Sequence, residues 1–171
     1  MLRQALLLVI LASCVFAACK FSRGKVHSSW KVSNGRVTIS FENSGIDERE
    51  FTGIAFGESM YNLEFVLFKI VNGKATVETG ATNDYAPPER LDSSPAVRVE
   101  ELQWDDGRLS ATISRPIGSA GPRRHSLEEP QNWNFISVGD VEVADRGNGP
   151  EHLIGAHRSR PETILVDLSS C

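Results

Sequence analysis

Three doublets punctuate this 171-residue chain: Asn34-Gly35, Asn72-Gly73 and Asp106-Gly107. Such doublets readily adopt positive φ at both central positions of a two-residue hairpin turn, the geometry that matches the twist of the flanking strands. Each lies between β-rich runs. Residues 29–32 and 36–41 flank the first, 63–71 and 74–79 the second, 97–104 and 108–115 the third. Val37, Ile39 and Phe41 alternate with Thr38 and Ser40, and Leu109, Ala111 and Ile113 repeat the pattern. That is the period of a half-buried strand. Residues 51–56 are more continuously apolar, as in a strand covered on both faces. Residues 133–138 and 163–168 complete the set. No stretch shows a convincing helical period. Many short strands with regular turns predict an all-β sandwich or barrel.

Three segments read as loops. Residues 82–95 hold Pro87, Pro88 and Pro95. Residues 116–130 hold Gly118, Gly121, Pro122 and the basic pair Arg123 and Arg124. Residues 144–160 form an irregular Gly-rich stretch with His152 and His157. Loops of this length in a compact domain are usually functional or mobile.

The first 18 residues read as a secretory signal. Arg3 is their one charge, an apolar run follows, and Ala17 and Ala18 offer a small-residue cleavage site. A membrane anchor would need about 20 apolar residues. A lipidated Cys19 is a further alternative, although Phe16 replaces the usual Leu of that motif. Cleavage leaves a single domain over residues 19–171, secreted or extracellular, with no second apolar run long enough to span a bilayer. Cys14 is lost, and Cys19 and Cys171 remain at the two ends. An oxidising compartment favours pairing, and domain termini often lie close together. A Cys19–Cys171 bond would close nearly the whole chain, worth about 4–5 kcal/mol on the chain-entropy model. Two free or intermolecular thiols are the alternative.

The net charge of −4 argues against nucleic acid as a partner, since no basic excess exists to neutralise phosphates. No G-x-S-x-G, G-x-G-x-x-G or C-x-x-C-H motif occurs. The adjacency of His125 and Ser126 is not triad geometry. The reading is therefore of a module without its own catalytic centre. One methionine survives signal cleavage, Met60, in the turn between residues 51–57 and 63–71. A core-filling Met more naturally lies inside a strand.

The run Phe51-Thr52-Gly53-Ile54-Ala55-Phe56-Gly57-Glu58-Ser59-Met60 resembles the core motif of the DOMON domain, aromatic-x-G/A-ϕ-A/G-ϕ-G-x-x-M. Further similarities follow in order: Trp30 in a first strand, Thr79-Gly80-Ala81-Thr82 and Pro87-Pro88 after the second hairpin, a strand ending in Arg115-Pro116, and Gly155-Ala156-His157-Arg158 before a last strand. The resemblance covers essentially the whole mature chain. It implies an immunoglobulin-like antiparallel β-sandwich that binds haem b or, in other branches, sugars. In the haem branch, similar to the cytochrome domain of cellobiose dehydrogenase, a Met after the motif strand and a His near the C-terminus hold the iron. These fall on Met60 and His157, with His152 as the competing imidazole. Met/His ligation raises the reduction potential, and two filled axial positions suit electron transfer with a redox partner. Non-covalent haem would lie in an apolar slot between the sheets. Phe56, Tyr61, Phe65 and Trp133 are candidate walls, and Arg115 or Arg158 a candidate propionate partner. The alternative is a haem-free module binding a sugar, another small-molecule ligand or a protein. The sugar reading expects exposed aromatics near the loops, such as Tyr85 or Trp104.

Overall fold

The computed structural model describes residues 19–88, 91–119, 125–145, 147 and 149–171. The expected signal segment, and the basic pair Arg123 and Arg124, lie outside the described residues. The described residues form eleven strands: β1 (Lys20–Arg23), β2 (Val26–Ser33), β3 (Arg36–Asn43), β4 (Glu50–Phe56), β5 (Glu64–Val71), β6 (Lys74–Ala81), β7 (Arg98–Asp105), β8 (Arg108–Pro116), β9 (Gln131–Asp145), β10 (Pro150–His157) and β11 (Glu162–Val166). A short 3₁₀ turn, Met60–Asn62, joins β4 to β5, and another, Leu168–Ser170, ends the chain.

The strands form two antiparallel sheets. One has the order β1-β2-β3-β8-β7; the other runs β10-β9-β4-β5-β6, with β11 also pairing β9. The expected doublets close their hairpins. Ser33 pairs with Arg36, Val71 with Lys74 and Asp105 with Arg108. Asn72 and Gly73 take φ of 54° and 71°, the paired positive values that a type I′ turn demands.

Between the sheets lies a filled core. Trp30, Ile39 and Phe41 from the first sheet meet Ile54, Phe56, Phe68, Trp133 and Phe135 from the second. Phe21 stacks on Phe135 at 3.9 Å between centroids, and Trp133 packs against Trp30 at 4.9 Å and edge-on against Phe56 at 5.1 Å. The two ends of the mature chain are joined, as expected, by a Cys19–Cys171 disulfide. The Trp30 indole N–H donates to the Cys171 sulfur at 3.2 Å.

Residues 144–160 correct the sequence reading. They are not an irregular loop: most belong to the end of β9 and to β10, a hairpin in which Pro150 pairs with Asp145 and Ile154 with Val141. Polar, Gly-containing sequence concealed a strand whose stability comes from ladder bonds to β9. β1 was likewise missed; its pairing with β2 supplies what its short, charged sequence does not signal.

Candidate functional site

Seven consecutive buried residues make up β4. One set of alternate side chains enters the inter-sheet core. The other set points outward, where a second apolar cluster covers the opposite face of the same sheet. It comprises Phe51, Ala55, Leu63, Phe65, Leu67, Ile136, Val141 and Ile154, with Met60 packed against it. A face turned away from the core would ordinarily be polar. Here it is apolar and concave.

Two register irregularities shape that face. Between Phe51 and Gly53 of β4, β9 runs from Gly139 to Ile136, one residue longer. Such a bulge leaves backbone groups to be satisfied elsewhere. The Thr52 hydroxyl donates to the Ile136 carbonyl at 2.6 Å, and the Asn43 side-chain amide donates to the Ser137 carbonyl at 2.7 Å and to Thr52 at 2.9 Å. Phe51 lies so close to Gly139 that any Cβ there would sit 2.2 Å from its ring. The second irregularity lies between Ile154 and His157, opposite Val141 and Gly139. Residues three apart normally face opposite sides of a strand. The extra residue brings Ile154 and His157 to the same side.

The resulting cavity is open to solvent and has a volume of about 140 Å³. Its floor is Phe51, Ala55, Phe65, Leu67, Ile136 and Ile154. Met60 and Leu63 line one side, Gly155, Ala156 and His157 another, and Thr82, Tyr85, Ala86, Pro87 and Pro88 the loop side. That loop is pinned by Thr79. Its hydroxyl bonds Asp92 at 2.8 Å and accepts the Ala96 N–H at 2.8 Å.

The His157 ring nitrogen Nδ1 lies 2.7 Å from the Ser159 carbonyl. A carbonyl only accepts, so Nδ1 is the donor, which in the neutral imidazole leaves the lone pair on Nε2. This is the arrangement of a ligating histidine, whose other nitrogen is held by an acceptor. Met60 supplies a soft thioether on the same cavity, which the small residues Ala55, Ala86, Gly155 and Ala156 also line. The donor set therefore fits a haem-type iron. Among the described residues, no group of three or more His, Cys, Asp or Glu is placed to hold a bare metal ion.

The slot expected between the sheets is on the outer face instead, because aromatic packing fills the interior. Of the expected walls, Phe65 lines the cavity. Phe56 and Trp133 belong to the inter-sheet core. Tyr61 is 60% exposed and packs edge-on against Tyr85 at 5.1 Å, beside the mouth. Arg115 is 1% exposed and pairs with Glu64 at 2.6 Å, with its guanidinium 5.4 Å from the Phe56 ring centroid. It does not line the cavity. Burial pushes the Glu64 carboxyl above its ordinary value, while the Arg115 charge and the His125 N–H pull it down. The Arg158 guanidinium bonds Asp140 and Glu50, which push it further above its ordinary value. His152 is on β10 but is not among the cavity-lining residues; its carbonyl accepts from Lys69 at 3.1 Å. Trp104 is half-buried, with its indole N–H on the Ile46 carbonyl at 2.9 Å. Leu63, Leu67, Ile136 and Ile154 were not foreseen as site residues. The apolar runs 63–71 and 133–138 were the signal for Leu63, Leu67 and Ile136, and Ile154 on β10 had none.

A search of protein families matches the DOMON domain over residues 22–139. Among curated proteins, the DOMON domain-containing protein Y73F4A.1 of Caenorhabditis elegans is 32% identical over 139 residues, covering 78% of this chain and 74% of its own. The DOMON domain-containing protein CBG21755 of Caenorhabditis briggsae is 33% identical over 129 residues, covering 72% and 68%. Among solved structures, the cytochrome domain of Myriococcum thermophilum cellobiose dehydrogenase aligns with a TM-score of 0.59 at 10% identity, over 85% of this chain and 76% of that one. Sequence and fold agree: the chain belongs to the DOMON domain family.

Proposed function

We propose that this protein is a secreted electron-transfer module that binds haem b non-covalently in the outer-face cavity, where Met60 and His157 would hold its iron. The observation that carries the reading is their meeting on one cavity from elements 97 positions apart in sequence. Neither is needed to close the core. When bound, haem b supplies a one-electron couple that Met/His ligation would place toward higher potential. The chain's own contributions are a soft sulfur, an imidazole with its tautomer held, an apolar bed that limits water, and a mouth flanked by Tyr61 and Tyr85 toward a redox partner. The disulfide is consistent with an oxidising, extracellular setting. Among the described residues, no helix is long and apolar enough to cross a membrane.

The test is reconstitution of residues 19–171 with haemin. The expected product has a low-spin spectrum with sharp α and β bands on reduction. Met60→Ala and His157→Ala should each abolish it while His152→Ala leaves it intact. An unchanged spectrum in the first two variants, or none in the wild type, overturns the reading.

A second reading has its own observation. Tyr85 lines the cavity and is 68% exposed, the disposition of an aromatic platform for a sugar ring. Glycan binding lost in Tyr85→Ala but kept in Met60→Ala would favour it.

A further inference from the structure

Arg158 does more than follow the histidine. Its backbone N–H donates to the Val138 carbonyl at 3.0 Å. Its Nε donates to Asp140 on β9 at 2.9 Å, and its terminal nitrogens reach Asp140 and Glu50, the latter at the start of β4. Glu50 is buried, and its other oxygen accepts the Asp47 N–H at 2.8 Å. One side chain thus ties the end of β10 to two neighbouring strands. The next residue is fastened as well, with the Ser159 hydroxyl 3.2 Å from that of Ser137.

This tether lies where the backbone most needs one. The β10–β9 ladder is irregular between Ile154 and His157. Gly155 sits within that irregularity, where a Cβ would lie 2.8 Å from the Asp140 carbonyl. Ladder pairing is interrupted there and resumes at His157, opposite Gly139. Yet the carbonyl that selects the His157 tautomer belongs to Ser159, two residues on. Arg158 is the residue between them.

We propose that Arg158 is a positioning residue for His157. Its bridge to Glu50 and Asp140 holds the backbone of residues 157–159 so that the Ser159 carbonyl keeps the proton on Nδ1 and leaves Nε2 for a ligand in the cavity. The consequence for haem rests on the reading above; the tautomer is a property of the chain itself. A salt bridge that only stabilised the fold would leave the tautomer unchanged.

The experiment has two arms. In the first, ¹⁵N-labelled imidazole spectra of the ligand-free protein are recorded at alkaline pH for the wild type, Arg158→Met and Arg158→Lys. The wild type should show a single Nδ1–H form for His157, Arg158→Met a mixture, and Arg158→Lys partial recovery. In the second, haem loss to an excess of apomyoglobin is timed. Loss of an orienting partner behind a metal ligand typically costs about 10–100-fold in affinity, so Arg158→Met should release haem about tenfold faster. Asp140→Asn, which loosens the bridge from its exposed side, should act in the same direction and replaces Arg158→Met should that variant not fold. An Nε2–H form in the wild type, or an identical tautomer in every folded variant, overturns the proposal. No haem uptake by the wild type with a shifted tautomer in Arg158→Met overturns the haem reading and keeps the positioning role.

Discussion

The two faces of the β10-β9-β4-β5-β6 sheet are built from alternate residues of the same strands, and they solve different problems. The inner face buries Ile54, Phe56, Phe68, Trp133 and Phe135 against the opposite sheet, in ring contacts that leave the interior full. The outer face carries Phe51, Ala55, Phe65, Leu67 and Ile136, equally apolar, under a proline-containing loop that leaves open volume. Apolar surface left facing water forgoes about 25 cal/mol per Å². The inner face stabilises the fold by packing. The outer face forgoes part of that stabilisation and keeps an open apolar cavity.

The largest expected effect lies on the inner face. Trp133→Ala removes a fully buried indole from between Trp30 and Phe56. It should cost about 3–5 kcal/mol in urea denaturation with the disulfide intact. A loss no greater than that of an outer-face alanine variant would break the distinction.

The outer face should gain stability from its ligand. Haemin at a hundredfold excess over Kd should raise the unfolding free energy by about 2.7 kcal/mol, and melting curves of Met60→Ala and His157→Ala should not respond. A third effect is of opposite sign to the first. Ala55→Leu places bulk into the cavity floor, so stability should rise by about 0.5–2 kcal/mol, as cavity filling commonly does. Haem uptake should weaken roughly tenfold or more, each 1.4 kcal/mol being one factor of ten.

The smallest effect concerns the one polar device in the interior end of β5. Burial, outweighing Arg115, holds the Glu64 carboxyl above its ordinary value of 4.5. A raised carboxyl binds its proton more tightly in the folded chain than in the unfolded one. Its contribution to stability is therefore full below 4.5 and lost as pH rises through the folded value. Glu64→Gln lacks this dependence and stands in for the protonated carboxyl, so the wild type should match it in acid and lose melting temperature relative to it as pH rises toward neutral. A wild type that gains on Glu64→Gln instead would show that the Arg115 charge governs this carboxyl.

Local chemistry was legible in the sequence. Hairpin turns are set by two residues with positive φ, so Asn72-Gly73 and its counterparts could be read directly. Alternation in β3 and β8 likewise announced one buried face. Met60 stood out because a loop position is unusual for a residue that fills cores, and His157 was singled out by the order of motifs along the chain. The continuous apolarity of β4 said that both its faces are covered, but not that one cover is a wall and the other a loop over a cavity.

That difference was decided in three dimensions. Which face closes depends on what the second sheet and the 82–97 segment bring to it, and both are remote in sequence. The two bulges are equally invisible locally, because a bulge is a mismatch in count between paired strands. Without the extra residue between Ile154 and His157, alternation would send the imidazole to the other side of the sheet. The sequence by itself determined most of the strands, the turns, the disulfide ends and the soft donors. The tertiary structure determined that the sulfur and the imidazole share one cavity, because only strand pairing sets the side on which each residue emerges.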